Sequence, residues 1–280
     1  SIGVTRLSLG IENFNDDILS ENGRAHLSAE ILRSYEWAKQ VGFNQINIDL
    51  IAGMVGETWK NWKNCTQQAI ALDADSVTIY QMELPFNTVF SQHMKKKDNT
   101  SPVANWETKR AWVNHTFKEL EKVGYQVSSA YTLTKKSNYN RFVYRDSLWH
   151  GADMIGAGVS SFSHLGGVHF QNQDSFKSYL ECLTKEKLPL NRAFKATPRQ
   201  LLIREMILQM KLGRLNVAYF QKKFGVEILS EFKETYQALK EQGLVTLSEN
   251  EIRLKRTGLL KIDEILPRFF EPGHREARYT

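Results

Sequence analysis

The fold is decided by three short apolar runs in the first third of the chain: Arg6-Leu-Ser-Leu-Gly-Ile11, Ile46-Asn-Ile-Asp-Leu-Ile-Ala52 and Ser76-Val-Thr-Ile-Tyr80. Each run has the length of a buried strand. Between them, residues 28–40 and 57–72 repeat large or apolar residues with a helical period. Alternation of strands and helices at this spacing predicts βα units, and therefore a parallel sheet covered by helices.

Only three such βα units can be recognised in the sequence. A parallel sheet of only three strands would leave an uncovered edge, so we expect further strands to precede Ser1. The chain opens with Ser1 instead of methionine, and no charged-then-apolar leader follows it. We therefore interpret the chain as processed or as cut from a longer protein.

In the remaining two thirds of the chain the regular alternation of strands and helices ends, and a different order of elements follows. A helix is predicted at 105–123 and a strand at 125–133, whereas the Gly-, Ser- and aromatic-rich residues 134–172 have no helical period and are typical of a functional loop region. Thr197-Pro-Arg-Gln200 has the residues of a capping box with proline in the first turn. Helices at 198–211, 216–223 and 227–242, a hairpin at 244–254 and a helix at 258–269 follow in a winged-helix order. We divide the chain into 1–90, 91–195 and 196–280.

Composition and charge exclude several classes of protein. The chain has 280 residues, of which 41% are hydrophobic and 24% charged, which excludes wholesale disorder and coiled coils. No apolar run reaches the ~18 residues that a membrane-spanning helix needs. Two cysteines, Cys65 and Cys182, cannot form a disulfide framework, so we expect a cytoplasmic protein. The net charge of +6 comes from scattered basic residues, which favours solubility or an anionic small molecule over nucleic acid.

Polar residues at the ends of the predicted strands form the candidate site. Glu12 follows the first strand, where ligands of parallel α/β sheets bind. Arg24, in Gly23-Arg-Ala-His26, can clamp a carboxylate, although a surface arginine is the alternative. Asp49 lies between apolar neighbours on the second strand, where alternation places it on the face of Asn47 and Ile51. A buried carboxylate there indicates a binding site or a structural ion pair.

Other polar patterns give weaker signals. Asn15 and Asp16 can cap a turn or contact a ligand. Gly156-Ala-Gly158 lacks the third glycine and the helix of a dinucleotide loop. No histidine pair has the spacing of a metal site, and we expect His164 and His169 not to share a face. Cys65 and Cys182 are interpreted as structural.

These motifs, taken in order, resemble a known family. The segments from Gly3 to Asp16, from Gly23 to His26 and from Asn47 to Gly53 look like consecutive motifs of oxygen-independent coproporphyrinogen III oxidase and its relatives, which are radical S-adenosylmethionine (SAM) enzymes. Residues 138–172 and 197–270 resemble the family's later segments. The resemblance implies the C-terminal half of a partial (β/α)6 barrel, namely its last three βα units, followed by a small winged-helix-like α+β domain.

The resemblance also implies the cofactor contacts. Arg24 and Asp49 occupy positions that contact SAM in the family, and backbone near Ile51 and Met82 would face the adenine. The position of Glu12 holds glutamine in the usual form of the motif, so a carboxylate there adds a negative charge. The family's [4Fe–4S] cluster is bound by a Cys-x-x-x-Cys-x-x-Cys loop that this chain lacks, so we expect its ligands upstream of Ser1. The chain alone would then generate no radical, and its metal ligands and catalytic residues stay unassigned.

The substrate class follows from the same resemblance. Family members decarboxylate coproporphyrinogen, carry heme, methylate their substrates or open the heme ring, so a tetrapyrrole and an electron donor are the implied partners. Arg141 and Arg145, in an aromatic-rich segment, would suit propionate groups. A heme-binding, heme-trafficking or methyltransferase-type relative is the alternative to an oxidase. A winged-helix nucleic-acid binder is disfavoured because the candidate recognition helix 227–242 is mainly acidic.

Overall fold

The computed structural model describes residues 3–83, 103–136 and 141–274 and divides them into two compact units. The first unit contains the described residues up to Arg141 together with Leu259–Lys261, and the second contains Phe142–Gly258 and the described residues from Ile262 onward. Both units mix helices and strands, which confirms an α/β fold. None of the helices within the described ranges is long and apolar enough to cross a membrane.

Among its described residues, the first unit contains a five-stranded sheet and four helices. The strands are β1 (Arg6–Glu12), β2 (Gln45–Ala52), β3 (Ser76–Gln81), β4 (Tyr125–Val127) and β5 (Thr132–Lys135). The helices are α1 (Asp16–Glu21), α2 (Ser28–Val41), α3 (Trp59–Leu72) and α4 (Trp106–Lys122). The predicted strands and helices of this region are therefore confirmed, with ends that differ by a few residues.

The sheet has the order β1-β2-β3-β5-β4, and β1, β2 and β3 run parallel. β5 is antiparallel to β3 and to β4. The prediction of one strand over 125–133 was wrong because the chain reverses between β4 and β5, where the N–H groups of Ser128 and Ser129 both donate to the carbonyl of Thr132. This topology does not confirm a partial barrel.

The core of the first unit lies between the apolar face of the sheet and the helices. Ile48 on β2, Trp62 on α3 and Phe117 on α4 are fully buried in it. The indole nitrogen of Trp62 donates to the carbonyl of Trp112 at 2.8 Å, which ties α3 to α4. Burial of so many large side chains on one face leaves the other face of the sheet to polar residues.

Side-chain caps fix where the helices begin. Asn15 accepts a hydrogen bond from the N–H of Ile18 at 3.0 Å and so caps α1. Thr58 and Asn105 cap α3 and α4 in the same way. The capping role predicted for Asn15 is therefore confirmed.

The second unit contains six strands and eight short helices among its described residues. The strands are β6 (Phe162–Leu165), β7 (Val168–Asn172), β8 (Leu190–Lys195), β9 (Arg214–Asn216), β10 (Val245–Leu247) and β11 (Glu251–Leu254). The helices are α5 (Val143–Trp149), α6 (Phe176–Thr184), α7 (Pro198–Met210), α8 (Val217–Phe224), α9 (Ile228–Glu231), α10 (Lys233–Glu241), α11 (Arg256–Leu259) and α12 (Ile262–Ile265), followed by 3-10 turns at Leu266–Phe269 and Pro272–His274.

The interpretation of 134–172 as irregular was wrong for part of its length. It contains α5 and the hairpin β6–β7, whose strands are joined by Gly166 and Gly167 with φ of 56° and 80°. Two consecutive positive φ angles are what a tight, primed hairpin turn requires. The hairpin pairs His164 directly with His169, so the expectation that these residues do not share a face was also wrong.

The C-terminal elements follow the predicted order with three differences. The capping box is confirmed, since Thr197 accepts from the N–H of Gln200 and the side chain of Gln200 accepts from the N–H of Thr197. The helix predicted at 227–242 is interrupted at Phe232, whose φ of −114° is not helical. β9 was not predicted, and it pairs with β11 in a sheet of order β10-β11-β9. The helix predicted at 258–269 is replaced by α11, α12 and a 3-10 turn.

Candidate functional site

Five polar side chains collect on one face of the parallel strands, which we call the polar sheet face. They belong to successive strands and are linked by hydrogen bonds: Ser8, Asn47, Asp49, Ser76 and Thr78. The parallel register brings them side by side, because Ser8 pairs with Asn47 on β2 and Asp49 pairs with Thr78 on β3. The predicted common face of Asn47 and Asp49 is confirmed, since the two side chains are bonded at 2.9 Å.

Asn47 is the centre of this network and is almost completely buried. Its amide nitrogen donates to the hydroxyl of Ser8 at 2.8 Å and to the carboxylate of Asp49. Its amide oxygen accepts from the hydroxyls of Ser76 at 2.7 Å and Thr78 at 3.0 Å. The side chain of Asn47 thus forms hydrogen bonds with polar groups on all three parallel strands. Polar groups are kept in a protein interior when they have such hydrogen-bond partners.

Asp49 is the only carboxylate of the polar sheet face. Its two oxygens accept hydrogen bonds from Ser8 at 2.9 Å and from Asn47. Burial raises the pKa of Asp49, and these two hydrogen bonds and the charge of Arg6 act in the opposite direction. Among the described residues Asp49 forms no ion pair, so of the two interpretations weighed above the structural ion pair is not supported. Its lone pairs are held in a fixed, half-buried position that suits a hydrogen-bonding ligand.

Glu12 and Arg24 are brought together at the end of β1. Glu12 has a φ of 68°, rare for a residue with a side chain, and the register of β1 against β2 shifts just before it. Its carboxylate forms an ion pair with Nε of Arg24. The pair neutralises the charge that Glu12 adds to the site. A guanidinium has five N–H donors, and the terminal nitrogens of Arg24 have no partner within the described ranges, so Arg24 can still bind a carboxylate.

Ile51 and Met82 lie where β2 and β3 end. Ile51 pairs with Tyr80 across the two strands, and the N–H of Met82 donates to the carbonyl of Ala52 at 2.8 Å. The carbonyl of Met82 accepts from the ammonium of Lys109 at 2.7 Å. Backbone at both predicted positions is therefore fixed by hydrogen bonds at the carboxyl edge of the sheet.

Lys109 and Glu57 are charged residues that the sequence did not single out. Lys109 is buried, its stem fills the space beside Gly53, and burial lowers its pKa. Its ammonium lies 3.6 Å from the centre of the Trp106 ring, a cation–π contact. Its position on α4 gave no sequence signal, because it lies on the same helical stripe as apolar residues.

Glu57 closes the turn that follows β2. Its carboxylate accepts from the N–H groups of Gly53 at 2.6 Å and Met54 at 3.2 Å, and from the side chain of Asn13 at 2.7 Å. Burial raises the pKa of Glu57 to about 7, against the opposing effect of these hydrogen bonds. A carboxylate that titrates near neutral pH beside a strand end is typical of functional sites. The sequence signal was its place four residues after Gly53 in a glycine-containing turn.

Arg141 and Arg145, the predicted propionate contacts, have different surroundings. Arg141 is exposed and belongs to the first unit. Arg145, on α5 of the second unit, forms an ion pair with Asp146 at 2.7 Å, and its guanidinium lies 5.1 Å from the ring centre of Trp149. Both arginines carry the charge that a carboxylate ligand needs, and the pairing with Asp146 reduces what Arg145 can offer.

The described residues give no metal centre. No group of three or more His, Cys, Asp or Glu side chains within the described ranges is arranged to hold a metal ion. Cys65 is buried in the core of the first unit, where burial raises the pKa of its thiol, and Cys182 lies on α6 of the second unit. The described part of the chain therefore does not offer the thiolates that a [4Fe–4S] cluster requires.

Comparisons with known proteins agree on one group of relatives. A family model described as HemN C-terminal domain matches residues 196–260. The chain is 26% identical to the heme chaperone HemW of Bacillus subtilis, over 95% of the chain and 70% of that protein. It is also 26% identical to the oxygen-independent coproporphyrinogen III oxidase of Salmonella typhimurium, over 94% of the chain and 60% of that protein.

The fold agrees with a solved structure of the same group. The structure described as coproporphyrinogen III oxidase (HemN) from Escherichia coli, a radical SAM enzyme, superposes with a TM-score of 0.77 at 22% identity. The superposition covers 95% of this chain and 64% of that one. The chain thus spans about 60 to 70% of the length of the relatives that it matches.

Proposed function

We propose that this chain is part of a radical SAM oxidoreductase that acts on a tetrapyrrole. The chain belongs to the HemN/HemW-like family of oxygen-independent coproporphyrinogen III oxidases and covers the C-terminal portion of these proteins. One observation carries this proposal: the polar sheet face and Glu12, which is ion-paired with Arg24, lie on neighbouring parallel strands whose carboxyl ends form one edge. Ligands of parallel α/β sheets bind at this edge. We also propose that β1, β2 and β3 are the last three strands of a partial (β/α)6 barrel.

The side chains of this edge match the functional groups of SAM. The free guanidinium nitrogens of Arg24 can bind its carboxylate, and the oxygens of Asp49 can accept hydrogen bonds from the ribose hydroxyls. The backbone at Ile51 and Met82 would lie beside the adenine, and the carbonyl of Met82, which accepts one hydrogen bond from Lys109, keeps a second lone pair for the adenine amino group. When bound beside a reduced cluster, SAM supplies the radical that abstracts a hydrogen atom from the substrate. The residues of this chain hold and orient the cofactor and keep its charged groups paired.

The cluster itself does not fit the described residues, as the positions of Cys65 and Cys182 indicate. We propose that residues outside this chain supply its thiolates and that a separate electron donor reduces it. No step of the reaction is therefore assigned to a cysteine of this chain.

We propose oxidative decarboxylation of the propionate groups of coproporphyrinogen III as the reaction. The support is the match to the Salmonella oxidase over 94% of the chain, together with the cationic side chains of Arg141 and Arg145 for propionate recognition.

A second candidate function is heme carriage or heme modification, without oxidase activity. The observation that favours it is the match to a heme chaperone over 95% of the chain and 70% of that protein. A carrier would keep the binding residues and would bind heme without converting it.

One experiment separates the two functions. The full-length protein, with its cluster reconstituted anaerobically, is incubated with SAM, a reductant and either coproporphyrinogen III or heme. Oxidase function predicts 5′-deoxyadenosine together with a product that has lost carboxyl groups from coproporphyrinogen, as read by mass spectrometry. Tight heme binding with no product from coproporphyrinogen would favour the carrier. Failure to bind SAM at all would overturn the proposed SAM site.

A further inference from the structure

The second unit contains an aromatic and imidazole surface that the proposed SAM site does not use. On one face of the sheet β6-β7-β8, His169 is paired with His164 on one side and with Phe194 on the other. The ring of Phe162 stacks on that of His169 with centres 5.5 Å apart and planes only 10° apart. We call these four side chains the hairpin face: Phe162, His164, His169 and Phe194.

Three of these four rings are open to solvent. Phe162 is 45% exposed, Phe194 is 50% exposed, and His169 is exposed between them. Large aromatic side chains that stand together on a surface mark a binding site more often than single exposed ones. Exposed rings on three neighbouring strands offer an apolar, aromatic surface to a large aromatic ligand.

His164 supplies a second, independent sign of a ligand. It is only 5% exposed, and its Nδ1 is buried with no hydrogen-bond partner among the described residues. Buried polar atoms without a partner are rare in folded proteins. The ring centre of His164 lies 6.2 Å from that of His169, so this buried ring is a direct neighbour of the exposed imidazole.

Arg204 adds positive charge to this surface. It lies on α7, one turn after Leu201, which packs against Gly167 in the turn of the β6–β7 hairpin. The charge of Arg204 acts on both histidines. Its guanidinium forms no hydrogen bond or ion pair within the described ranges and is therefore available to an anionic group.

We propose that the hairpin face binds an iron-bearing tetrapyrrole, with the imidazole of His169 as a ligand of the iron and the guanidinium of Arg204 paired with a propionate carboxylate. This inference rests on the second candidate function proposed above, heme carriage or heme modification, and assigns its heme to the hairpin face. Coproporphyrinogen carries no metal, so an exposed imidazole has nothing to coordinate in that substrate. A neutral imidazole nitrogen is the form that binds iron.

The electrostatics of the surface favour heme over a free metal ion. Burial and the charge of Arg204 lower the pKa of His164 and of His169. The same positive charge repels a bare divalent cation. Heme brings its iron together with two carboxylates, so the guanidinium attracts the ligand that the imidazole coordinates.

The test compares ferric heme with metal-free protoporphyrin IX, which has the same ring and carboxylates but no iron. Both are titrated into the full chain and followed by the Soret band, with electron paramagnetic resonance for the heme. For His169→Ala we expect loss of the imidazole-ligated signature and a Kd for heme about tenfold higher, with protoporphyrin affinity changed less than about twofold. Arg204→Gln should weaken both ligands by roughly three- to tenfold.

His274→Ala is the matched control, because it removes another exposed histidine of the same unit. It should leave the spectrum and both affinities unchanged. If His169→Ala binds heme with the wild-type spectrum and affinity, or if neither ligand binds the chain, the inference is wrong. The proposed function is judged separately, by the reaction assay above, so product from coproporphyrinogen together with an unaltered His169→Ala spectrum would overturn this inference alone.

Discussion

Asp49 gives the most direct test of the proposed SAM site, because both of its oxygens are oriented by hydrogen bonds from Ser8 and Asn47. Asp49→Asn keeps the size of the side chain and removes its charge. We expect the Kd for SAM of the full-length, reconstituted protein to rise about tenfold, equivalent to ~1.4 kcal/mol, as measured by equilibrium dialysis.

Asp75→Asn is the control for this change. Asp75 precedes β3 and accepts a hydrogen bond from the N–H of Ile46, at the start of β2 and away from the carboxyl edge. Its substitution should lower stability without changing SAM affinity. Equal losses of SAM affinity in both variants would contradict the proposed role of Asp49.

Asn47 should matter more for stability than any other residue of the polar sheet face. Asn47→Ala would remove the acceptor of the Ser76 hydroxyl and the donor to one oxygen of Asp49, while the hydroxyl of Thr78 would keep only its contact with Thr132. We expect the free energy of unfolding in urea to fall by about 2–4 kcal/mol. Ser8→Ala, which removes a single hydroxyl of the same network, should cost only about 1 kcal/mol. Similar losses for the two variants would show that Asn47 is not the centre of the network.

Glu57 should make stability depend on pH in the direction opposite to that of a carboxylate whose pKa is lowered by folding. Its pKa is raised from an ordinary 4.5 to about 7, so the folded state holds the proton more tightly than the unfolded chain between these values. The free energy of unfolding should therefore fall as pH rises through this window, by up to about 3 kcal/mol. Urea unfolding at pH 5, 6 and 7 measures the slope, and Glu57→Gln should remove it. Parallel curves for the two proteins would exclude this role.

Among the secondary-structure elements, those whose pattern of apolar and polar residues matches their buried and exposed positions could be predicted from the sequence. β1, β2 and β3 are apolar runs with polar interruptions, and the polar positions are those that form the network of Asn47. The pairing of Glu12 with Arg24 could not be predicted, because it depends on a positive φ at Glu12 that no residue type demands. The assignment of site residues to SAM contacts stays a prediction.

The hairpin β6–β7 was missed for a different reason. Residues 162–172 lie in a stretch whose glycines and serines lower its average hydrophobicity, so the periodicity is weak. The usable signal was local: Gly166-Gly167 between two alternating segments is a hairpin connection. A two-residue turn at these glycines pairs Leu165 with Val168 and therefore His164 with His169.

The turn at Gly166 gives a test at the same scale. Its φ is 56°, and a Cβ added there would meet no atom within 4 Å, so any cost of substitution is conformational and not steric crowding by neighbours. Gly166→Val should lower the free energy of unfolding of the chain by about 1–2 kcal/mol in urea, because a β-branched residue resists positive φ. Gly166→Asn should cost clearly less, since asparagine tolerates this region. Equal costs would mean that the turn relaxes to another conformation.

For the molecule as a whole, the net charge of +6 is the property that bears on ligand choice. A positive protein attracts anionic ligands over a distance that salt shortens, from a Debye length of about 10 Å at 0.1 M to about 3 Å at 1 M. Coproporphyrin carries four carboxylates and protoporphyrin two, so long-range attraction should act more strongly on the former. If the charge serves ligand capture, salt will weaken the binding of coproporphyrin more than that of protoporphyrin.

Fluorescence titration of the full chain with both porphyrins tests this between 0.05 and 0.5 M NaCl. We expect the Kd of coproporphyrin to rise about five- to tenfold over this range and that of protoporphyrin to rise about two- to threefold. Arg204→Gln should reduce the salt dependence of both ligands, because it removes one charge at the hairpin face. A Kd that does not change with salt for either ligand would assign the surplus charge to solubility, and recognition would then depend on short-range contacts such as the imidazole of His169 and the stacked ring of Phe162.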